Sequence, residues 1–185
     1  MSTNGTQNLE QGNRAYVAEF TQGDLALPPS QKYAVLTCMD ARIDPAAAFG
    51  IPLGAAHVIR NAGASARDAF RSLVISQQLL GTTEVLLVKH TGCGMLTFDD
   101  DTAKDLVRKN KGEAAAKEVE HIDFLTFPNL EAKVKEDVEW LKSTAIEKGV
   151  RITGWVYEVS ALDLEVKDYK AELDQVETGK ARRVV

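Results

Sequence analysis

The sequence predicts an α/β fold: a central, mostly parallel sheet of four strands plus an antiparallel edge strand, flanked by helices. Two patterns predict it. Short apolar runs of strand length alternate with longer stretches whose apolar residues recur at helical spacing, and strands joined through helices pair in parallel. The polar residues with the richest chemistry, Cys38, Arg60-Asn61 and His90, stand at or just past the ends of three such runs. Open parallel sheets collect their sites beyond the carboxyl ends of the strands.

The elements follow in order. A first helix is expected over about Leu9–Phe20, and Leu27-Pro28-Pro29-Ser30 ends that region. Tyr33–Cys38 and Ala56–Arg60 read as buried strands. Ala66–Leu80 places Ala69, Leu73, Ser76 or Gln77, and Leu80 on one face, and Gly81 sits where a helix stops. Val85–Val88 is a third strand that leads into Lys89 and His90. Helices are expected at about Asp99–Asn110 and Asn129–Lys148, the latter striped by Leu130, Val134, Val138 and Leu141 and closed by Gly149. Val150–Tyr157 is a fourth strand, and Leu162–Val166 is expected as the antiparallel edge.

With 185 residues the chain is expected to form one domain, 1–185, with a helical arm at about 1–30. A net charge of −5 without any basic stripe argues against a nucleic-acid partner, and Lys180-Ala181-Arg182-Arg183 reads as a solvated tail. Met1–Arg14 is polar, without the apolar stretch of a secretory signal, and no apolar run approaches the ~18 residues that span a membrane. A cytoplasmic location and no membrane partner are therefore expected. In that compartment a cysteine pair more often binds metal or reacts than forms a disulfide.

The chemistry concentrates in Cys38-Met-Asp40-Ala-Arg42 and His90-Thr-Gly-Cys93. Two thiolates and an imidazole make a three-residue zinc site that keeps one position open for water or substrate. The bland alternative is a pair of small buried side chains, but both cysteines stand at strand ends beside polar partners. A Cys-x-x-Cys redox motif is absent. Asp40 and Arg42 would be a weak surface ion pair elsewhere. Beside a metal, Asp40 can orient bound water while Arg42 holds the carboxylate, or Asp40 can close the site as a fourth ligand. Asn61, Ala62 and Gly63 suggest a turn with a close backbone approach, and Gly92 and Gly94 a loop whose amides face the Cys93 thiolate. His57 and His121 read as structural or surface residues.

Three segments together resemble the β-class carbonic anhydrases, and the shorter archaeal and mycobacterial branch in particular. They are Cys38-x-Asp40-x-Arg42, His57-Val-Ile-Arg60-Asn61-Ala62-Gly63 and His90-Thr-Gly-Cys93-Gly-Met95, supported by Leu96-Thr97-Phe98 and Asp123-Phe124-Leu125. The resemblance runs from about Tyr33 to Val166. It implies a β-carbonic-anhydrase-like fold, one Zn2+ per subunit on Cys38, His90 and Cys93, an Asp40–Arg42 dyad, and a homodimer or homotetramer. It also implies hydroxide attack on a small linear molecule: carbon dioxide, giving bicarbonate, or carbonyl sulfide, giving carbon dioxide and hydrogen sulfide. Carbon disulfide hydrolases share the scaffold, and a zinc-stabilised oligomer without turnover is a further alternative. Gly92, Ala55 and Ala64 depart from the family's usual text, each being less polar or bulkier than the common residue.

Overall fold

The computed structural model describes residues 4–144, 148–159, 166–167 and 182–185. Four strands, β1 (Tyr33–Cys38), β2 (Ala56–Asn61), β3 (Glu84–His90) and β4 (Arg151–Tyr157), lie side by side in the order β2-β1-β3-β4. All three pairings among them are parallel, with Cys38 opposite Asn61 and His90 opposite Tyr157. These register partners bring the carboxyl ends of β1, β2 and β3 to one edge of the sheet.

Side chains alternate across a strand, so each face has its own core. Ala34, Leu36, Val85, Leu87, Ile152 and Val156 face α3 (Ala66–Gln78) and α6 (Leu130–Ser143), packing with Leu73, Val134, Val138 and Leu141. Val35, Val88 and Tyr157 point the other way, against Ile43, Ile51, Met95 and Phe127. On β3 the same alternation turns Lys89 toward α6 and His90 toward the opposite face. Ser65, Asp99 and Asn129 cap α3, α4 (Asp100–Lys111) and α6 through side-chain oxygens that accept the amides of Asp68, Thr102 and Ala132. Each such cap is worth about 1 kcal/mol.

Gly154 lets α6 sit directly on β4. A Cβ there would lie 2.5 Å from Val134 Cγ1 and 2.9 Å from Val138 Cγ2. Overpacking of this kind costs about 1–3 kcal/mol. Gly154→Ala is therefore expected to lower the urea midpoint, and an unchanged midpoint would refute the tight contact.

Several boundaries differ from expectation. The sixth helix ends at Ser143 instead of Lys148, because the Ser143 and Thr144 hydroxyls turn back onto the Trp140 and Leu141 carbonyls. His90 is the last residue of β3 and does not follow it. The short helices α2 (Pro45–Ala48) and α5 (Glu113–Val119) were not legible as separate elements. The edge strand expected over 162–166 falls outside the described residues except for Val166. At that edge Val166 and Lys167, labelled β5, pair antiparallel with Tyr157 and Val156, and Arg183 pairs with Trp155. The expected solvated tail ends differently: Val184 is buried, and Gly154 exchanges backbone hydrogen bonds with Val184 and Val185. No residue of α1 (Asn4–Glu19) is buried, so its Leu9, Tyr16 and Val17 lie exposed. Among the described residues no helix is long and apolar enough to cross a membrane.

Candidate metal centre and its cavity

Cys38 ends β1, His90 ends β3, and Cys93 follows a tight turn at Gly92, whose φ of +62° suits a residue without a Cβ. The two sulfurs lie 4.0 Å apart, and with a His90 ring nitrogen they form a set within 4.8 Å of one another. Two sulfurs each ~2.3 Å from one tetrahedral zinc ion would stand about 3.8 Å apart. All three residues are buried.

The imidazole is oriented for the same purpose. Nδ1 lies 2.9 Å from the Thr91 carbonyl, which can only accept, so Nδ1 carries the hydrogen and Nε2 the lone pair. That Nε2 is buried and has no hydrogen-bond partner. A buried nitrogen lone pair left unpaired is costly, and a cation between it and the two sulfurs would relieve it. The residues present therefore fit zinc.

The electrostatics agree. The Cys38 thiol is held far below the usual thiol range, first by the hydrogen bond from Cys93, then, against burial, by the backbone amides of Asp40 and Gly63. The Cys93 thiol is pushed up by the same hydrogen bond to Cys38 and by burial, while the Met95 amide favours its thiolate. The hydrogen bond between the sulfurs thus favours a thiolate at Cys38 and a thiol at Cys93.

Asp40 and Arg42 pair beside this cluster. Asp40 Oδ1 accepts from Arg42 Nε at 2.9 Å and from the Arg42 amide at 3.0 Å, while Oδ2 accepts from Nη2 at 2.7 Å. These bonds hold the Asp40 carboxyl well below the ordinary carboxylate range. Arg42 Nη2 also donates to the Gly92 carbonyl at 3.0 Å, tying the dyad to the turn between His90 and Cys93. Asp40 Oδ2 lies 3.7 Å from His90 Nε2.

A cavity of about 560 Å³ opens over the cluster, and Cys38, Asp40, Ala62, Gly63, Cys93 and Gly94 line it. Its remaining wall is apolar or aromatic: Met39, Ala41, Met95, Phe98 and Phe124. Gly63, at φ +68°, leaves no space for a Cβ, which would meet Met95 Cγ at 2.8 Å and Phe127 at 3.1 Å. Ala64 adopts φ +51° despite its Cβ, a conformation that costs about 1–2 kcal/mol.

Of the residues expected to form the pocket's turn and loop, Ala62, Gly63 and Gly94 line the cavity and Asn61 and Gly92 do not. Asn61 braces the turn instead, accepting the Ser65 amide and donating to the Ser65 carbonyl. His57 bonds Ser76 at 2.7 Å, and His121 is exposed. Sequence reasoning placed Arg60 at the site edge but gave it no role; its guanidinium donates to the Cys38 carbonyl at 3.0 Å and the Asp40 carbonyl at 2.7 Å. The signal was present in His57-Val-Ile-Arg60, a strand whose last exposed side chain is a fork-shaped donor.

Comparison with known proteins agrees with this geometry. The carbonic anhydrase family pattern matches residues 33–163. β-carbonic anhydrase 1 of Mycobacterium tuberculosis is 38% identical over 157 residues, covering 84% of this chain and 93% of that protein. The chain belongs to the β-class carbonic anhydrase family. As a member of that family it is a zinc enzyme, a lyase or a related hydrolase. A carbonic anhydrase structure from Glaciozyma antarctica superposes with a TM-score of 0.85 at 40% identity, over all of both chains. The β-class relatives also include a carbon disulfide hydrolase of an Acidianus strain, 34% identical over 72% of this chain and 76% of that enzyme.

Proposed function

We propose that this β-class enzyme reversibly hydrates carbon dioxide to bicarbonate, using one zinc ion per subunit on Cys38, His90 and Cys93. The observation that carries the proposal is the buried, unpartnered His90 Nε2 facing two sulfurs beneath a largely apolar cavity. Bound zinc supplies a Lewis acid that makes water a usable nucleophile near pH 7.

The chain's own residues do the rest. Asp40, kept ionised, accepts a hydrogen from the nucleophilic oxygen and turns its lone pair toward the substrate carbon. Both Asp40 oxygens already accept from Arg42, which supports this orienting role over service as a fourth ligand. The apolar wall at Ala62, Met95, Phe98 and Phe124 suits a linear molecule with little hydrogen-bonding demand. The unburied α1, with Leu9, Tyr16 and Val17 exposed, supports a homodimer or homotetramer in which the arm finds its cover. We place the enzyme in the cytoplasm.

Carbonyl sulfide hydrolysis is the second reading. The similarity to a carbon disulfide hydrolase and the apolar, methionine-bearing wall favour it. One preparation assayed with both gases, with hydrogen sulfide measured directly, separates them. Faster turnover of carbon dioxide is expected, lost on chelation and restored by zinc. Faster release of hydrogen sulfide would reverse the assignment, and turnover indifferent to chelation would overturn the zinc mechanism.

A further inference from the structure

Lys89 is a cation with almost no contact with solvent, one residue before His90 and on the opposite face of β3. A buried ammonium is costly unless its three hydrogens are satisfied. Here all three are. Nζ donates to the Gly63 carbonyl at 2.7 Å, to the Ala64 carbonyl at 2.9 Å and to Asp137 of α6 at 2.9 Å. It also lies 5.1 Å from the centre of the Phe127 ring, which packs against Gly63. Asp137 is itself buried and is approached by Lys133 at 3.3 Å.

Those two carbonyls belong to the residues with left-handed backbone, Gly63 at φ +68° and Ala64 at φ +51°. Strained backbone persists where surroundings over-determine it, and Lys89 supplies two bonds to this turn. The turn has a task at the site. Ala62 and Gly63 line the cavity, and the Gly63 amide faces the Cys38 sulfur. An element on the α6 side of the sheet therefore reaches through the turn to a ligand on the other side.

We infer that Lys89 is a positioning residue for the metal centre: its ammonium clamps the Gly63 and Ala64 carbonyls, which aims the Gly63 amide at Cys38 and fixes that wall of the cavity. Asp137 keeps the clamp's charge compatible with burial. The inference rests on Cys38, His90 and Cys93 being the zinc ligands.

Zinc affinity, measured by competition with a chromophoric chelator, and the thiolate-to-metal absorption of the cobalt-loaded protein test it without reference to turnover. Lys89→Met alone strands the Asp137 charge and is prone to misfold, so Lys89→Met/Asp137→Asn is made beside it as a charge-neutral pair of similar volume. Outer partners of metal ligands contribute about 10–100-fold to affinity. The folded double variant is expected to bind zinc weaker by that factor and to show a displaced cobalt–thiolate band. A folded double variant with wild-type affinity and spectrum overturns the inference. A wild-type protein that binds no zinc overturns the ligand assignment and this inference together, whereas wild-type zinc binding without carbon dioxide turnover overturns only the proposed activity.

Discussion

Asp40→Ala is expected to keep its zinc and its stability while carbon dioxide turnover falls by about 100-fold or more. The carboxylate is not one of the three clustered donors, so its loss leaves the two sulfurs and Nε2 in place. The fold loses little, because Arg42 is largely exposed and retains its bond to the Gly92 carbonyl. The reaction loses the anionic acceptor that, among the described residues, stands beside the cluster to orient the attacking oxygen. Asp40→Asn sharpens the test, since it preserves shape. Its amide can present a donor toward Arg42 where Oδ2 now accepts, so the dyad opens and turnover falls similarly. Measurement of kcat/KM alongside zinc content and melting temperature checks the prediction. Unchanged turnover with zinc bound would remove Asp40 from the mechanism, and loss of zinc would make it a ligand.

The parallel strands and the three donors were legible because their signals are local. Tyr33–Cys38 and Val85–Val88 are apolar runs of strand length, and His90-x-x-Cys93 is a turn that aims two donors in one direction. What escaped depends on partners distant along the chain. Lys89, just past the expected strand end at Val88, shows no sign of burial in the sequence, and the position of Asp137 on α6 and the turn at Gly63 and Ala64 make its burial tolerable. Arg60 is legible as a polar residue at a strand end, but its task shows only where its guanidinium meets the Cys38 and Asp40 carbonyls, 22 and 20 residues earlier. The Lys142-Ser143-Thr144 stretch continues a helical periodicity, but hydroxyls that bond back to carbonyls compete with the next turn and end α6 early. Phe124 sits in a loop without regular structure, yet it walls the cavity from a position that no periodicity marks.

Cys93→Ser is expected to weaken zinc binding by well over the ~100-fold that an outer partner is worth, and to abolish turnover with it. Serine is the smaller side chain and fits the buried site, so loss of metal cannot be charged to a clash. The difference is chemical. The thiolate is the metal ligand, and a thiol can surrender its proton to form it, whereas a hydroxyl holds its proton throughout the working pH range. This gives the prediction a second, quantitative arm. The hydrogen bond between the two sulfurs favours the thiolate at Cys38 and holds the Cys93 thiol above its ordinary range. Zinc must displace the Cys93 proton, so binding releases a proton from the pair. Affinity therefore rises about tenfold per pH unit while Cys93 remains protonated in the metal-free protein, and falls correspondingly as pH drops. The serine variant has no Cys93 thiol proton to release, so it is expected to release fewer protons per zinc than the wild type. Calorimetric titration of zinc in buffers of different ionisation enthalpy counts the protons directly. A lower count for Cys93→Ser than for wild type fits a Cys93 thiol that gives its proton up to the metal. Equal counts in the two proteins would mean that Cys93 does not give up its proton to the metal, and the three-ligand site would have to be redrawn without it.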